Sequence, residues 1–290
     1  MESMLLSESQ FNTLMTSVDD TFDEALVRLH QRPLRAVVEA FKRLNISGEI
    51  IGPSKQPANY PITTQNLSSH VTKWYDDRYG DALKIDMSIG RFPFQLKGIA
   101  YACKLPLFYG SFKILACKEN IGSQDIINVF DLLENLPSYV REKSTNSDEK
   151  KLILKFEIAL KAIIAMQAKK ENSLINSALS DALVSCDQIT SNKVNYSLSA
   201  WHSLQFAEKV LKFYISRFEA PQFTHEVKKL KNKAKNLGYI DSGNVNWDSL
   251  DFKPAIRYEP NGVSQRQALE ANMEAWKVAY ETMEQLKDLQ

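Results

Sequence analysis

The chain has 290 residues, 44% of them hydrophobic and 24% charged, with a net charge of +1. Such a composition fits a soluble globular protein with room for two modest domains and enough apolar residues to bury a core. It excludes a protein that binds nucleic acid over its whole surface, so any such contact has to come from a local patch.

The first residues, MESMLLSESQFN, lack the basic flank and long apolar core of a signal peptide. No apolar run approaches the roughly 18 residues of a membrane span, so a cytoplasmic protein without a membrane contact is expected. Cys103, Cys117 and Cys186 are widely spaced and form no CxxC pair, which points away from a disulfide framework or a zinc site. No metal and no cofactor are expected.

Asp19 and Asp20 read as a helix start, with Phe22, Leu26 and Leu29 on one face. Pro33 restarts a helix carrying Leu34, Val37, Val38, Phe41 and Leu44, which Gly48 ends. Residues 48–66 hold three prolines and two glycines and read as a long surface connection. Ser68 to Tyr79 predicts another helix. Leu83, Ile85, Met87 and Ile89 then alternate with Lys84, Asp86 and Ser88, the period of a half-buried strand. Arg91 to Lys104 and Leu107 to Cys117 carry Phe92, Phe94, Leu96, Tyr101, Phe108, Phe112 and Ile114, punctuated by Gly98, Pro106 and Gly110. Their short connections favour an antiparallel meander over about residues 83–117. Ser123 reads as the cap of a helix through Leu136.

Residues 142–150, EKSTNSDEK, are the most polar break and place a domain boundary. The expected fold is therefore α+β: a domain over 1–145 with helices and the small antiparallel sheet, then an all-α bundle over 146–290. In the bundle, Ile153, Phe156, Leu160 and Ile163 line one helix, and Ile175, Ala178, Ala182, Cys186 and Ile189 line a second. Ala200, Leu204, Ala207, Leu211 and Tyr214 line a third, widened by Phe206, Val210 and Phe213 and ended by Pro221. Thr224 reads as the N-cap of a basic helix that Gly238 closes. After a connection over 238–263, the last helix shows Leu269, Met273, Trp276, Tyr280 and Met283 on a near-heptad stripe. Met273, Trp276 and Tyr280 are its candidate oligomer contacts, one side of a dimer seam.

Lys228, Lys229, Lys231, Lys233 and Lys235 are five lysines in eight positions, a candidate grip on phosphates with sequence-blind, salt-dependent affinity. Arg257 and Tyr258 are further candidate contacts. His202, beside Trp201, reads as a hydrogen-bonded rim or core histidine. Asp76, Asp77, Asp81 and Asp86 form an acidic cluster of the kind that can hold Mg²⁺, but no Asp-x-Asp follows Gly110-Ser111 as a nucleotidyltransferase requires.

Two segments carry a family resemblance. Ala207-Glu208-Lys209-x-x-Lys212, a Pro-bearing turn, then Thr224-His225-Glu226-Val227-x-x-Leu230 resembles the HEPN superfamily of helical domains. Ala255-Ile256-Arg257-Tyr258-Glu259-Pro260, followed by Ser264 and a long helix, is similar to the segment before that family's last helix. The resemblance covers about residues 146–290 and says nothing of the first half. It implies a helical bundle and a role in prokaryotic conflict systems, either anti-phage defence or toxin–antitoxin pairs. The protein would act as a homodimer or with a partner protein of the same system, and RNA or a nucleotide would be a possible ligand. Catalytic members are metal-independent endoribonucleases that place four to six residues between an arginine and the histidine that follows it. In such a pair histidine moves the proton and arginine stabilises the charged phosphorane. Arg217 and His225 are the nearest match, but seven residues separate them. A binding module without its own complete catalytic site, an endoribonuclease using Arg217 and His225, and a structural subunit all stay open.

Overall fold

Ser7 starts the first helix by a capping box: its hydroxyl accepts from the Gln10 N–H, and the Gln10 side chain accepts from the Ser7 N–H. The computed structural model describes residues 5–46, 58, 61–83, 88–108, 110–119, 126–220, 224–259 and 262–287. It divides into two compact units, Met1–Asp86 and Met87–Gln290.

The first unit holds α1 (Glu8–Glu24), α2 (Arg32–Arg43) and α3 (Leu67–Tyr79). Phe11, Met15 and Val18 of α1 meet Ala36, Val37 and Ala40 of α2 and Leu67, Val71 and Tyr75 of α3 in one buried cluster. Asp19 does not start a helix. It lies within α1 at 2% exposure, and the Arg32 guanidinium donates to it at 3.1 Å. A carboxylate buried among these helices needs such a partner. Leu34 and Val38, expected inward, are exposed; small Ala36 and Ala40 form the buried face instead. The helix ends at Arg43 with Leu44 as its C-cap, and Gly48 lies outside the described residues.

In the second unit β1 (Ser88–Leu96) and β2 (Ile99–Pro106) pair antiparallel. Lys97 and Gly98 join them with φ of +50° and +86°, the two-residue turn whose twist suits a hairpin. Phe92, Phe94 and Leu96 are buried with Tyr101, Cys103 and Leu105, as the alternation requires. Among the described residues the rest of the expected meander is not found. Leu83 closes a 3₁₀ turn, and residues 84–87 lie outside the described ones. β3 (Lys113–Leu115) and β4 (Ile126–Asn128) pair parallel, not antiparallel; the ten residues between them let the chain return in the same direction. No helix runs to Leu136. Asn128 accepts from the Cys117 N–H and donates to the Cys117 carbonyl, and β4 passes into a 3₁₀ turn over Val129–Leu132.

After α4 (Ser138–Glu142) come α5 (Asn146–Gln167), α6 (Ser173–Thr190), α7 (Tyr196–Ile215), α8 (Val227–Asn236) and α9 (Gln265–Gln285). The polar run over 142–150 is a helix start, not a domain boundary. Thr145 and Asp148 form the capping box of α5, and polarity there satisfies helix-end N–H groups. The hairpin packs on α5, α6 and α9 and shares one core with Phe156, Ile163 and Phe206. The antiparallel sheet thus belongs to the C-terminal unit, which is α+β rather than all-α, while the described part of the N-terminal unit is helical. α9 packs on α5 and α7, and Trp276 sits edge-on to Phe206 with ring centres 4.9 Å apart. At 1% exposure Trp276 is core and cannot form a seam. Met273 is also buried, and Tyr280 is half-buried with the Lys161 ammonium 6.0 Å from its ring centre. Among the described residues no helix is long and apolar enough to cross a membrane.

Candidate functional site

α7 is enclosed by α6, α8 and α9. Asn195 caps its start by accepting from the Leu198 N–H at 2.9 Å. From Ser199 to Ile215 every residue is buried except four: His202, Gln205, Lys209 and Lys212. Their spacing of three, four and three places them on one stripe. All four are polar, so over residues 199–215 the helix opens only through polar side chains.

Two buried carboxylates organise the stripe. Asp181, from α6, accepts from His202 Nδ1 at 2.9 Å and from the Lys209 ammonium. Glu208, 2% exposed, accepts from Lys212 Nζ at 2.7 Å, Gln205 Nε2 at 2.9 Å and His225 Nδ1 at 3.1 Å. The residues of the AEKxxK and THEV segments therefore meet in one hydrogen-bonded cluster. An ionised carboxylate can only accept, so Nδ1 of each imidazole carries the proton and Nε2 is the nitrogen left for a ligand. Neither Nε2 has a partner among the described residues. His202 and Glu208 lie six residues apart, about 9 Å along the helix. Behind the stripe, in the core, Ser185 Oγ shares hydrogen bonds with Ser199 Oγ (3.2 Å) and Ser203 Oγ (2.7 Å). Asn272 donates to it from α9 at 2.9 Å.

Beside the stripe lies a 3₁₀ turn over Pro254–Tyr258. Ser197 donates to the Glu259 carbonyl, which ties this segment to α7. The Arg257 guanidinium carbon lies 4.7 Å from the Trp201 ring centre and 5.2 Å from that of Tyr258, and Tyr258 is 77% exposed. Among the described residues Arg257 has no carboxylate partner. Its cation stays unneutralised on an aromatic bed.

No hydrogen bond joins the expected catalytic pair among the described residues. Arg217 is exposed beyond the end of α7 with no side-chain partner among the described residues, and His225 turns to Glu208 instead. A buried carboxylate needs donors more than an exposed guanidinium needs a neighbour. Nor is the lysine row free. Lys228 pairs with Asp248 and Asp251, Lys229 with Glu226, Lys231 with Asp241, and Lys233 with Glu219. Lys235 alone of the five is exposed without a partner among the described residues. Hydrogen bonds that the Lys228 ammonium donates to Asp248 and Asp251 push it above its ordinary range, and Lys228 in turn lowers Asp248. Burial opposes ionisation of Asp241, but donors from Lys231, Gly243 and Trp247 hold its carboxyl below the usual range. Thr224 does not cap α8 directly; Glu226 is the N-cap, and Thr224 accepts from its N–H.

His202 is the hydrogen-bonded rim histidine its position implied. Asp181 and Gln205 were not singled out by the sequence, because Asp181 reaches the stripe only through the packing of α6 on α7. Among the described residues no group of three His, Cys, Asp or Glu could hold a metal ion. Asp77 pairs with Lys73 at 2.8 Å, and Asp86 lies outside the described residues. Set against models of known families, curated proteins and solved structures, the chain matches none.

Proposed function

We propose that the C-terminal unit is a HEPN-like module of a prokaryotic conflict system, which binds RNA or a nucleotide at the α7 stripe and the Arg257–Tyr258 platform. The module acts as a homodimer or with a partner protein of the same system. One observation carries the reading: the polar opening along residues 199–215, an otherwise buried stretch of α7, holds two histidine–carboxylate pairs beside an unneutralised guanidinium stacked on aromatic rings. Such rings take an unpaired base by stacking, worth about 1–3 kcal/mol per base. The guanidinium meets a phosphate, and the free imidazole nitrogens accept from ribose hydroxyls. With Lys209 and Lys212 already facing carboxylates, few cations remain for phosphates. Affinity is accordingly modest and its salt slope shallow, about one to two phosphates' worth.

The test is anisotropy of a labelled single-stranded RNA of about 12 nucleotides, with a mononucleotide as competitor. Binding that weakens in Arg257→Ala and Tyr258→Ala, and survives Lys229→Gln, supports the reading. Equal loss in all three variants, or no binding by the parent, sinks it.

A second reading is a metal-independent endoribonuclease, favoured by the 64% exposed His225 side chain braced against buried Glu208. In it Nε2 takes the 2′-hydroxyl proton, while Lys212, 2.7 Å from Glu208, holds the carboxylate's charge in place. RNA cleaved in chelator by the parent and left intact by His225→Ala would establish it; RNA intact in both would leave the binding role.

A further inference from the structure

A separate cleft of about 510 Å³ opens where the end of the β1–β2 hairpin meets the first half of α5 and the first half of α9. That volume lies within the range of small-molecule sites, about 300–1,000 Å³. Its lining is unbalanced once each charge is paired. Lys97 faces Asp148 at 3.4 Å, and Arg266 faces Glu270 at 2.8 Å. Glu274 is taken by Lys277 at 2.8 Å and by the Asn246 N–H at 2.8 Å. Every carboxylate of the lining is thus committed. Lys151 and Lys155, four residues apart on α5 and on one face, have no acidic partner among the described residues. The Lys155 ammonium lies 5.7 Å from the Phe94 ring centre, and the buried side chains of Phe94, Leu269 and Met273 supply apolar wall.

We propose that this cleft is a second ligand site, which takes a small organic anion (a phosphate monoester or carboxylate) with an apolar or aromatic arm. The anion meets the ammonium groups of Lys151 and Lys155, and the arm lies on Phe94, Leu269 and Met273. Electrostatics agree with this placement. Desolvation brings the Lys155 ammonium down to about 8; Lys277 and Lys151 push the same way, against Glu274 and Glu270. A bound anion relieves that penalty, so it holds the proton on Lys155 and binds best where Lys155 is charged.

The experiment is calorimetric titration of the full chain with phenyl phosphate, and with inorganic phosphate and benzyl alcohol as its two halves. Phenyl phosphate is expected to bind more tightly than either half. Lys155→Met should weaken it about tenfold and Lys151→Gln about threefold, the scale of one half-buried and one outer charged contact. Raising the pH from about 7 to about 9.5 should weaken binding to the parent severalfold, while the affinity of Lys155→Met stays level. The part of this binding that depends on Lys155 should persist in the Arg257→Ala protein. No binding up to about 10 mM, or equal affinity in parent and Lys155→Met, overturns the proposal. Loss of the Lys155-dependent part in Arg257→Ala overturns it too, since the anion would then sit on the α7 platform.

Discussion

The α7 stripe and the α8 lysine row are neighbours built from the same kinds of residue, with opposite arrangements. At the α7 stripe the acids, Asp181 of α6 and Glu208 of α7, are buried beneath bases that are half-buried or exposed. On α8 most of the bases are met by acids, three of these from the 241–251 segment; Lys228 and Lys229 point outward, while the Lys231–Asp241 pair is largely shielded. The first arrangement leaves imidazole edges for a ligand and ties the helix to its surroundings. The second neutralises itself at the surface. A count of lysines therefore points to the wrong helix; what decides is which partner of each pair is buried.

The largest effect that would test this contrast is loss of a buried acid. Glu208→Ala strips Lys212, Gln205 and His225 of their shared acceptor and is expected to cost about 2–3 kcal/mol in chemical denaturation. If it costs no more than a lysine-row variant, the contrast is wrong. Next comes ligand binding. Arg257→Ala should lower RNA affinity about tenfold, measured by anisotropy, while Lys233→Gln leaves it nearly unchanged. Lys155 sharpens the comparison as a half-buried cation with no acid. Its charge is held against desolvation below about pH 8, so its cost is full there. It fades as pH rises from about 8 towards the ordinary value of 10.5, where the unfolded chain also loses the proton. Discounted for a partly open setting, Lys155→Met should stabilise by about 1 kcal/mol near pH 7, about 2–4 °C in melting temperature. That gain should vanish near pH 10. The smallest effect belongs to Lys229→Gln: its pair with Glu226 is 67% and 63% exposed, worth at most about 0.5 kcal/mol and erased by salt.

Much of this was legible in the sequence where the signal is local. Ala200, Leu204, Ala207, Leu211 and Tyr214 are buried as their spacing demands, as are Phe92, Phe94 and Leu96. The capping box at Ser7 and Gln10 was also local, but the Asp19–Asp20 pair outshone it. A real helix start was thus passed over for two acids, one of them serving Arg32 across the fold. The run at 142–150 misled because a helix cap and a linker share a composition. The partners of Lys228 and Lys231 lie in a loop ten or more residues away, and Asp181 lies on another helix. No spacing rule finds those. The resemblance rested on segments that contain Glu208, Lys212 and His225, but it paired His225 with Arg217 and did not point to their meeting around the carboxylate.

Ser185, Ser199, Ser203 and Asn272 are buried polar groups that satisfy one another at the meeting of α6, α7 and α9. Turning α7 by one residue would orphan several of them at once, each at about 1–3 kcal/mol. The helix is keyed from inside, and the direction in which its stripe faces does not depend on what the stripe contains. His202, Gln205, Lys209 and Lys212 can therefore be exchanged for a different recognition set on an unmoved frame, which makes this helix a natural place to redesign specificity.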